Sequence, residues 1–269
     1  MVSRPPRLAA GRARALGLPT RGTTNPNRLR RMDNWTVATL ADRLRDAADS
    51  PLVIDLGYGA SPVTTIELQD RLRRIRPDVQ VIGLELAADR VAAASSASRP
   101  GLRFERGGFE LAGHRPLVVR VANVLRQYPE PAVAGAWQRM REQLGPSGVI
   151  VEGTCDELGR RGSWVLIDAT GPVSITLSCR LANLDRPSDL ADRLVKALIH
   201  RNVAGEPIHA LLRELDAAWD RQAPLAVYGP RQRWQAACAE LAGSWPLLGS
   251  PARHRHGELT VAWAAVAPR

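Results

Sequence analysis

The chain has 269 residues, of which 45% are hydrophobic and 24% charged, a composition that excludes a protein disordered throughout. The formal net charge is +10, and Lys196 is the only lysine, so arginine supplies nearly all of the positive charge. No run of about 18 apolar residues occurs, so we predict no membrane-spanning helix.

The chain begins with a basic arm, residues 1–20, and its arginines all precede the first acidic residue, Asp33. Such an arm could bind RNA through phosphate contacts. It could equally be a flexible, solubilising tail, because no aromatic residues interleave with the arginines as base stacking requires. Glycine and arginine interrupt its apolar stretch, so we predict no secretory signal.

The cysteines are three in number and far apart, at Cys155, Cys179 and Cys238. This pattern is typical of a reduced, cytoplasmic setting. The densest group of possible metal ligands is His254 and His256, which stand among arginines and are more typical of a solvated loop. We therefore expect no metal.

After the arm, apolar residues at helical spacing predict an amphipathic helix at 35–48, which Pro51 ends. Strands and helices then alternate, with Ser61 as a predicted N-cap and Pro62 at the first helical position. We predict strands at 52–56, 79–86, 102–106, 117–124 and 149–153, and helices at 62–75, 88–98 and 131–144. This alternation indicates a parallel sheet covered on both faces.

The rest of the chain changes character. A Thr170-Gly171-Pro172 turn joins two predicted strands in a hairpin. The strands are 164–169 and 174–181, followed by helices at 189–200, 208–219 and 231–241 and a last strand at 259–266. We therefore predict an α/β fold, a Rossmann-like doubly wound, mostly parallel sheet of about seven strands with a late antiparallel hairpin. One domain at 21–269 would carry a helical cap inserted at 185–245.

The first predicted strand ends in a glycine turn. Asp55, Gly57 and Gly59 lie at its carboxyl end, where parallel sheets bind ligands, and Glu85 lies at the end of the next strand, where it could accept hydrogen bonds from a ribose. A third glycine of a dinucleotide fingerprint would fall at Pro62, which lacks the N–H that pyrophosphate binding uses. The pattern favours an adenosyl ligand without pyrophosphate.

These motifs resemble those of class I S-adenosylmethionine-dependent methyltransferases. The matching runs are D-L-G-Y-G at 55–59, V-I-G-L-E-L at 81–86 and V-A-N-V-L-R-Q-Y at 121–128. The resemblance covers residues 50–155, the expected cofactor-binding half. It implies S-adenosyl-L-methionine as the cofactor and methyl transfer as the activity.

The resemblance also implies residue roles. Asp55 would lie near the methionine end of the cofactor, the turn would face it through backbone, and Glu85 would take the ribose hydroxyls. The family's usual aspartate after the third strand is replaced by Gly108, Phe109 and Glu110, among which Phe109 could stack on adenine or Glu110 could substitute. The expected cofactor-binding residues are Asp55, Gly57, Tyr58, Gly59, Glu85, Leu86, Gly108, Phe109 and Asn123.

The acceptor side is less defined. Methyl transfer is an in-line displacement that needs alignment more than a particular base, although a carboxylate or tyrosine would help an acceptor that loses a proton. Candidates are Asn123, Tyr128, Glu152 and Asp156. The run N-V-L-R-Q-Y departs from the N-P-P-Y pattern of enzymes that methylate base nitrogens.

A polar segment at 21–31 precedes the first helix and is dense in threonine, asparagine and proline. We hypothesise that it covers the cofactor turn as a lid or touches the acceptor, through Thr24, Asn25, Asn27 and Arg28. The overall prediction is a methyltransferase with an unidentified, preferably small-molecule acceptor. The alternatives are an rRNA or tRNA methyltransferase that uses the basic arm, and a protein that binds S-adenosylmethionine without transferring methyl.

Overall fold

A computed structural model describes residues 24–269, so the predicted basic arm lies outside the described residues. Within them, eight strands form one sheet in the order β3-β2-β1-β4-β5-β6-β7-β8. The strands are β1 Leu52–Leu56, β2 Gln80–Glu85, β3 Leu102–Arg106, β4 Val118–Ala122, β5 Val149–Cys155, β6 Arg161–Ile167, β7 Pro172–Cys179 and β8 Glu258–Ala262. The α-helices are α1 Arg30–Thr39, α2 Ala41–Arg45, α3 Val63–Leu72, α4 Ala88–Ser95, α5 Ala132–Arg141, α6 Lys196–Ile199, α7 Pro207–Arg221 and α8 Pro230–Leu241.

The sheet is parallel from β1 to β5 and antiparallel from β5 to β8. β5 is buried along its whole length, as expected for a strand covered on both faces. One core lies between the sheet, α5 and the helices after β7, and the other between the sheet and α1 to α4. The predicted Rossmann-like, doubly wound fold with its late antiparallel hairpin is therefore confirmed.

All eight strands named from the sequence lie in one sheet, although a sheet of about seven was expected. The last of them, β8, joins the sheet by pairing with β7, with Ser178 opposite Glu258. That strand ends at Ala262 in a short 3-10 turn, four residues earlier than predicted. The predicted helix at 35–48 is wrong in its bounds: it begins at Arg30, and Leu40 at φ −105° interrupts it between α1 and α2.

Two further helix boundaries differ from prediction. The helix predicted at 189–200 is mostly a 3-10 segment, Pro187–Arg193, because Leu194 and Val195 adopt extended backbone before the short α6. The N-cap of α3 is Pro62 rather than Ser61, whose hydroxyl accepts from the amide of Val63 at 3.4 Å.

The segment between β7 and β8 packs its helices on the face that α5 also covers. Its leucines and Trp234 join β7 residues such as Ile175 and Leu177 in one core. The 3-10 segment reaches the carboxyl-terminal edge of the parallel strands, where the carbonyl of Arg193 accepts the hydroxyl of Ser163 at 2.7 Å. We call that edge the rim.

A fully buried arginine joins the first helix to the first strand. Arg120 in β4 donates from Nε and Nη2 to the two carboxylate oxygens of Asp55, at 2.9 and 2.6 Å, and from Nη1 to Asp33 at 2.6 Å. All three side chains are at most 2% exposed. Burial raises the pKa of Asp33 and the two carboxylates raise that of Arg120, so the arginine stays charged. In this Asp33–Arg120–Asp55 network, a buried guanidinium lies between two aspartate side chains.

Replacing Arg120 by methionine should destabilise the protein by about 3–5 kcal/mol, because it removes the cation that the buried carboxylates of Asp33 and Asp55 share. Within the described residues, Asp33 would keep only Arg71 and Asp55 only the hydroxyl of Thr65. Arg103→Met in β3 is the matched control, since its ion pair with Glu105 is half exposed and should cost about 0–1 kcal/mol. Urea denaturation of both variants measures the difference, and equal losses would contradict the role given to Arg120.

Candidate functional site

The turn after β1 lies between the ends of β2 and β4. Gly57 and Gly59 have φ of 76° and 84°, the left-handed region that glycine tolerates. The amide of Gly57 donates to the carbonyl of Leu84 at 2.7 Å, and a Cβ at Gly57 would come within 2.5 Å of Val124 Cγ2. Both glycines are therefore required for the turn to fit against its neighbours.

Glu85 closes this turn from the end of β2. Its Oε2 accepts from the amide of Gly59 at 3.1 Å, and its Oε1 accepts from the amide of Leu86 at 2.9 Å. Arg90 lies 3.5 Å from the same carboxylate. The amide of Ala87 also donates to Oε1, at 3.4 Å, so the about four acceptor positions of this carboxylate are in use. A ligand hydroxyl at the rim would therefore replace one of the two longest contacts, those with Ala87 and Arg90.

Two residues expected at the cofactor turn direct their side chains elsewhere. The carboxylate of Asp55 binds Arg120 and accepts the hydroxyl of Thr65 at 2.7 Å, so it supports the turn from below. The ring of Tyr58 is 4% exposed and packs edge-on against Phe104, with centroids 5.3 Å apart. Only the backbone of these positions is free to face a ligand.

The loop after β3 brings an aromatic ring to the rim. The ring of Phe109 lies 5.4 Å from that of Tyr128, and Arg139 of α5 lies 5.5 Å from the Phe109 centroid. Glu110 folds back, its carboxylate accepting from the amide of Gly108 at 2.7 Å. Of the two adenine-side candidates, Phe109 presents a partly exposed ring and Glu110 already has a partner.

Tyr128 also lies near Glu85. Burial raises the pKa of Tyr128, Arg139 opposes that shift, and the negative charge of Glu85 adds to it. The phenol is therefore neutral at physiological pH and can donate a hydrogen bond. The rings of Phe109 and Tyr128 thus lie together at the rim, and Glu85 is near enough for its charge to act on the phenol.

Asn123 joins the ends of β4 and β5. Its backbone has φ of 61°, and its Oδ1 accepts from Thr154 Oγ1 and from the amide of Cys155, each at 3.0 Å. Its amide nitrogen lies 3.5 Å from the Cys155 sulfur. Asn123 therefore shapes the rim, and its side chain has little capacity left for chemistry.

Asp156 organises the hairpin between β5 and β6. Its carboxylate accepts from the amides of Leu158, Arg160 and Arg161 at 2.8–3.2 Å. Burial raises the pKa of the neighbouring Cys155 thiol, which stays protonated and is a poor nucleophile. These two positions hold the strand end in shape.

Glu152 lies inside β5 on the α5 face and is 2% exposed. Burial raises its pKa to about 8, which the Trp137 indole opposes only in part. Glu152 Oε2 and Trp137 Nε1 are both buried, and neither makes a hydrogen bond of regular geometry. The carboxyl is thus mostly protonated at neutral pH and lies below the rim.

The segment before α1 crosses the turn. We call residues 24–29 the N-terminal strap. The hydroxyl of Thr24 donates to the carbonyl of Tyr58 at 3.1 Å and lies where a Cβ on Gly59 would point. The amide of Asn27 donates to Glu67 at 2.8 Å, which attaches the strap to α3.

The strap also reaches the end of β5. Asn25 donates to the carbonyl of Glu157 at 3.2 Å. Arg28 donates from Nε to the carbonyl of Asp156 at 3.0 Å and from Nη2 to that of Cys155 at 3.4 Å. Of the four predicted positions, Thr24 therefore contacts the turn itself, Asn27 contacts α3, and Asn25 and Arg28 contact the end of β5 and the hairpin after it.

The sequence analysis did not identify Arg120, Asp33 or Arg139. A single arginine inside the apolar run V-V-R-V-A was the available signal for Arg120, since an unpaired buried arginine is rare. Nothing local indicates Asp33 as its partner, because 87 positions separate them. Arg139 is one of several basic residues on α5, and only its position over Phe109 distinguishes it.

Among residues 24–269, no three histidine, cysteine, aspartate or glutamate side chains come together as a metal site would require. Over the same residues, no helix has the length and apolar character needed to cross a membrane.

Comparisons with solved structures find partial similarity. The chain is 16% identical to magnesium protoporphyrin IX methyltransferase from Synechocystis over 48% of this chain and 56% of that one, with a TM-score of 0.37. It is 20% identical to the CcbJ methyltransferase from Streptomyces caelestis over 57% of this chain and 65% of that one, with a TM-score of 0.36. It is 21% identical to human N-acetylserotonin methyltransferase in complex with S-adenosylmethionine over 49% of this chain and 40% of that one, with a TM-score of 0.32.

The chain is also 16% identical to a pericyclic reaction enzyme over 43% of this chain and 30% of that one, with a TM-score of 0.35. The matches thus span from about a third to two thirds of these proteins. No protein-family profile matches the chain, and no curated protein matches its sequence.

Glu152→Gln should stabilise the protein increasingly as the pH rises. Above its ordinary pKa of 4.5 the unfolded carboxyl ionises while the folded one stays neutral until about pH 8, so the wild type loses stability across this window. The difference in free energy of unfolding between Glu152→Gln and the wild type should approach zero near pH 4.5. It should grow by up to about 1.4 kcal/mol per pH unit above that and level off above pH 8. Urea denaturation at about pH 5 and about pH 8.5 measures it. Glu142→Gln on an exposed position is the control, and a pH-independent gain would contradict the buried neutral carboxyl.

Proposed function

We propose that the protein is an S-adenosylmethionine-dependent methyltransferase that acts on a small molecule. The observation that carries the proposal is the contact between the Glu85 carboxylate and the Gly57–Gly59 turn at the point where the strand order reverses. A ligand there would meet backbone on one side and a carboxylate for its hydroxyls on the other. The resemblance in sequence supports the same ligand.

A dinucleotide fits this site less well. Pro62 is the N-cap of α3 and has no N–H, and the amide of Val63 already faces the hydroxyl of Ser61. The helix start therefore offers fewer free donors than a pyrophosphate would use. An adenosyl ligand without phosphates makes no such demand.

The residues fit the parts of such a ligand. Glu85 would accept from the ribose hydroxyls, and the ring of Phe109 would lie against the adenine. The turn backbone would border the methionine part, with the Asp33–Arg120–Asp55 network keeping it in place from below. When bound, S-adenosylmethionine supplies an electrophilic methyl group on a sulfonium.

The protein's task is then to align the acceptor and exclude water. Tyr128 is the rim candidate with a free polar group, and its raised pKa suits it to donate a hydrogen bond to the acceptor rather than to remove a proton. Asn123 and Asp156 would contribute only indirectly, by holding the backbone at the ends of β4 and β5 in place. Glu152 would act as a neutral group below it.

Two alternatives remain in different classes. An RNA methyltransferase would rely on the basic arm at 1–20, and no contact of the described residues favours it. A protein that binds S-adenosylmethionine without transferring methyl would use the same turn and Glu85. Incubation with S-adenosylmethionine and a small-molecule extract distinguishes these two: the proposed enzyme should form S-adenosylhomocysteine, and a protein that only binds the cofactor should not.

Titration calorimetry with S-adenosylmethionine, S-adenosylhomocysteine and NAD tests the cofactor. We expect both adenosyl ligands to bind, and Glu85→Gln to weaken them by at least about tenfold, because charge-assisted hydrogen bonds contribute about 1.5–3 kcal/mol. Glu105→Gln on the neighbouring strand is the control, since Glu105 pairs with Arg103 and His114 instead. Tighter binding of NAD than of S-adenosylmethionine would overturn the proposal.

Gly159→Ala tests the strap as a lid. Gly159 has φ of 64°, and a Cβ there would overlap the carbonyl of Arg28, so the substitution should displace the strap and weaken cofactor binding several-fold. Gly249→Ala is the matched control, because its φ is 78° and open space surrounds it. Equal cofactor affinity in the two variants, with the expected loss of stability from positive φ in both, would remove the lid role.

A further inference from the structure

Two arginines meet at the rim on the acceptor side. Arg126 lies in the 3-10 turn after β4, and Arg193 ends the 3-10 segment Pro187–Arg193 of the insertion. Nη1 of Arg126 donates to the carbonyl of Asp192 at 3.1 Å, which brings it beside Arg193. Burial lowers the pKa of Arg126, and the positive charge of Arg193 lowers it further. Two cations from distant parts of the chain thus share one partly buried place.

Nearby carboxylates compensate these charges only weakly. Within the part of the chain that the structure describes, no carboxylate lies within 4.0 Å of the Arg126 guanidinium. Arg193 has Glu157 and Asp192 at 3.7 Å each, without a hydrogen bond to either. Those carboxylates are 62% and 52% exposed, so water screens them.

One donor of the pair is orphaned. Nε of Arg193 is buried and makes no hydrogen bond, since Oδ2 of Asp192 lies 3.7 Å from it, beyond hydrogen-bond distance. A buried donor without a partner costs about 1–3 kcal/mol, and more on a charged group. A ligand that supplies acceptor oxygens at this point would recover that free energy.

The residues on either side of Arg126 border the proposed cofactor site. Val124, two residues before Arg126, contacts Gly57 of the cofactor turn. Tyr128, two residues after it, belongs to the cluster with Phe109 and Glu85. A group held between Arg126 and Arg193 would therefore belong to a molecule that extends along the rim toward the turn.

We propose that the methyl acceptor carries an oxyanion, a carboxylate or a phosphate, which Arg126 and Arg193 bind. Guanidinium groups match such oxyanions because their planar forks donate two parallel hydrogen bonds. That the bound molecule is the methyl acceptor rests on the proposed function. That the two arginines bind an anion does not depend on it. Arg139 is a poorer candidate because it lies over the Phe109 ring.

Binding of simple anions tests the pair. Titrations in the presence of S-adenosylhomocysteine would use inorganic phosphate and benzoate, with benzamide as the neutral counterpart of benzoate. We expect both anions to bind and benzamide to bind at least about tenfold more weakly, in line with about 1.5–3 kcal/mol for a charge-assisted hydrogen bond. Arg126→Met and Arg193→Met should each reduce anion affinity at least tenfold by the same argument.

The controls keep the outcomes distinct. Arg213→Met makes the same change of charge on an exposed position of α7 and should leave anion affinity unchanged. Arg126→Lys keeps the charge and should retain part of the affinity, which separates loss of the site from loss of folding. Anion affinity that is equal in Arg126→Met, Arg193→Met and Arg213→Met would overturn the inference.

Turnover links the pair to the reaction. A small-molecule extract divided by anion exchange should support formation of S-adenosylhomocysteine in its anionic fraction, and activity confined to the neutral or cationic fraction would overturn the inference. S-adenosylmethionine binding is measured on the same samples. If the cofactor fails to bind while phosphate still binds through the arginines, the proposed function fails and the anion site stands.

Discussion

The buried pairing of Arg120 with Asp33 and Asp55 is the constraint on which the site depends. A guanidinium inside a sheet is tolerated only when its donors are used, and here they go to Asp55, Asp33 and the carbonyl of Thr64. The bidentate contact fixes the Asp55 carboxylate directly beneath the glycine turn. Because Asp33 belongs to α1, the same cation also fixes where the first helix docks and hence where the strap before it runs.

This arrangement changes the role that the motif gives to Asp55. In sequence, an aspartate before Gly57 and Gly59 looks like a ligand contact. In the fold it is the anchor of the turn, and the rim contacts fall to Glu85 and to backbone. The aspartate thereby acts on a ligand through the position of the turn and not through its own oxygens.

Local signals sufficed for the parallel half of the fold. Strands 52–56 and 102–106 match the structure residue for residue, since turn residues such as Pro51, Pro100 and Gly101 bound them. The interruption at Leu40 and the 3-10 backbone of Pro187–Arg193 have no comparable local signal and are decided by packing. The Arg126 and Arg193 pair was likewise beyond sequence reasoning, because a loop and an insertion form it only in the folded chain.

The insertion between β7 and β8 begins and ends at neighbouring points of the sheet, where Ser178 pairs with Glu258. A segment with adjacent ends can be exchanged for another without moving the strands that carry the glycine turn and Glu85, provided that the replacement covers the same apolar face of the sheet. The contact that Arg193 makes at the rim belongs to this segment, whereas Arg126 lies in the 3-10 turn that follows β4. What lies opposite the turn and the turn itself thus come from different parts of the chain, and a chimaera could replace the first while keeping the second.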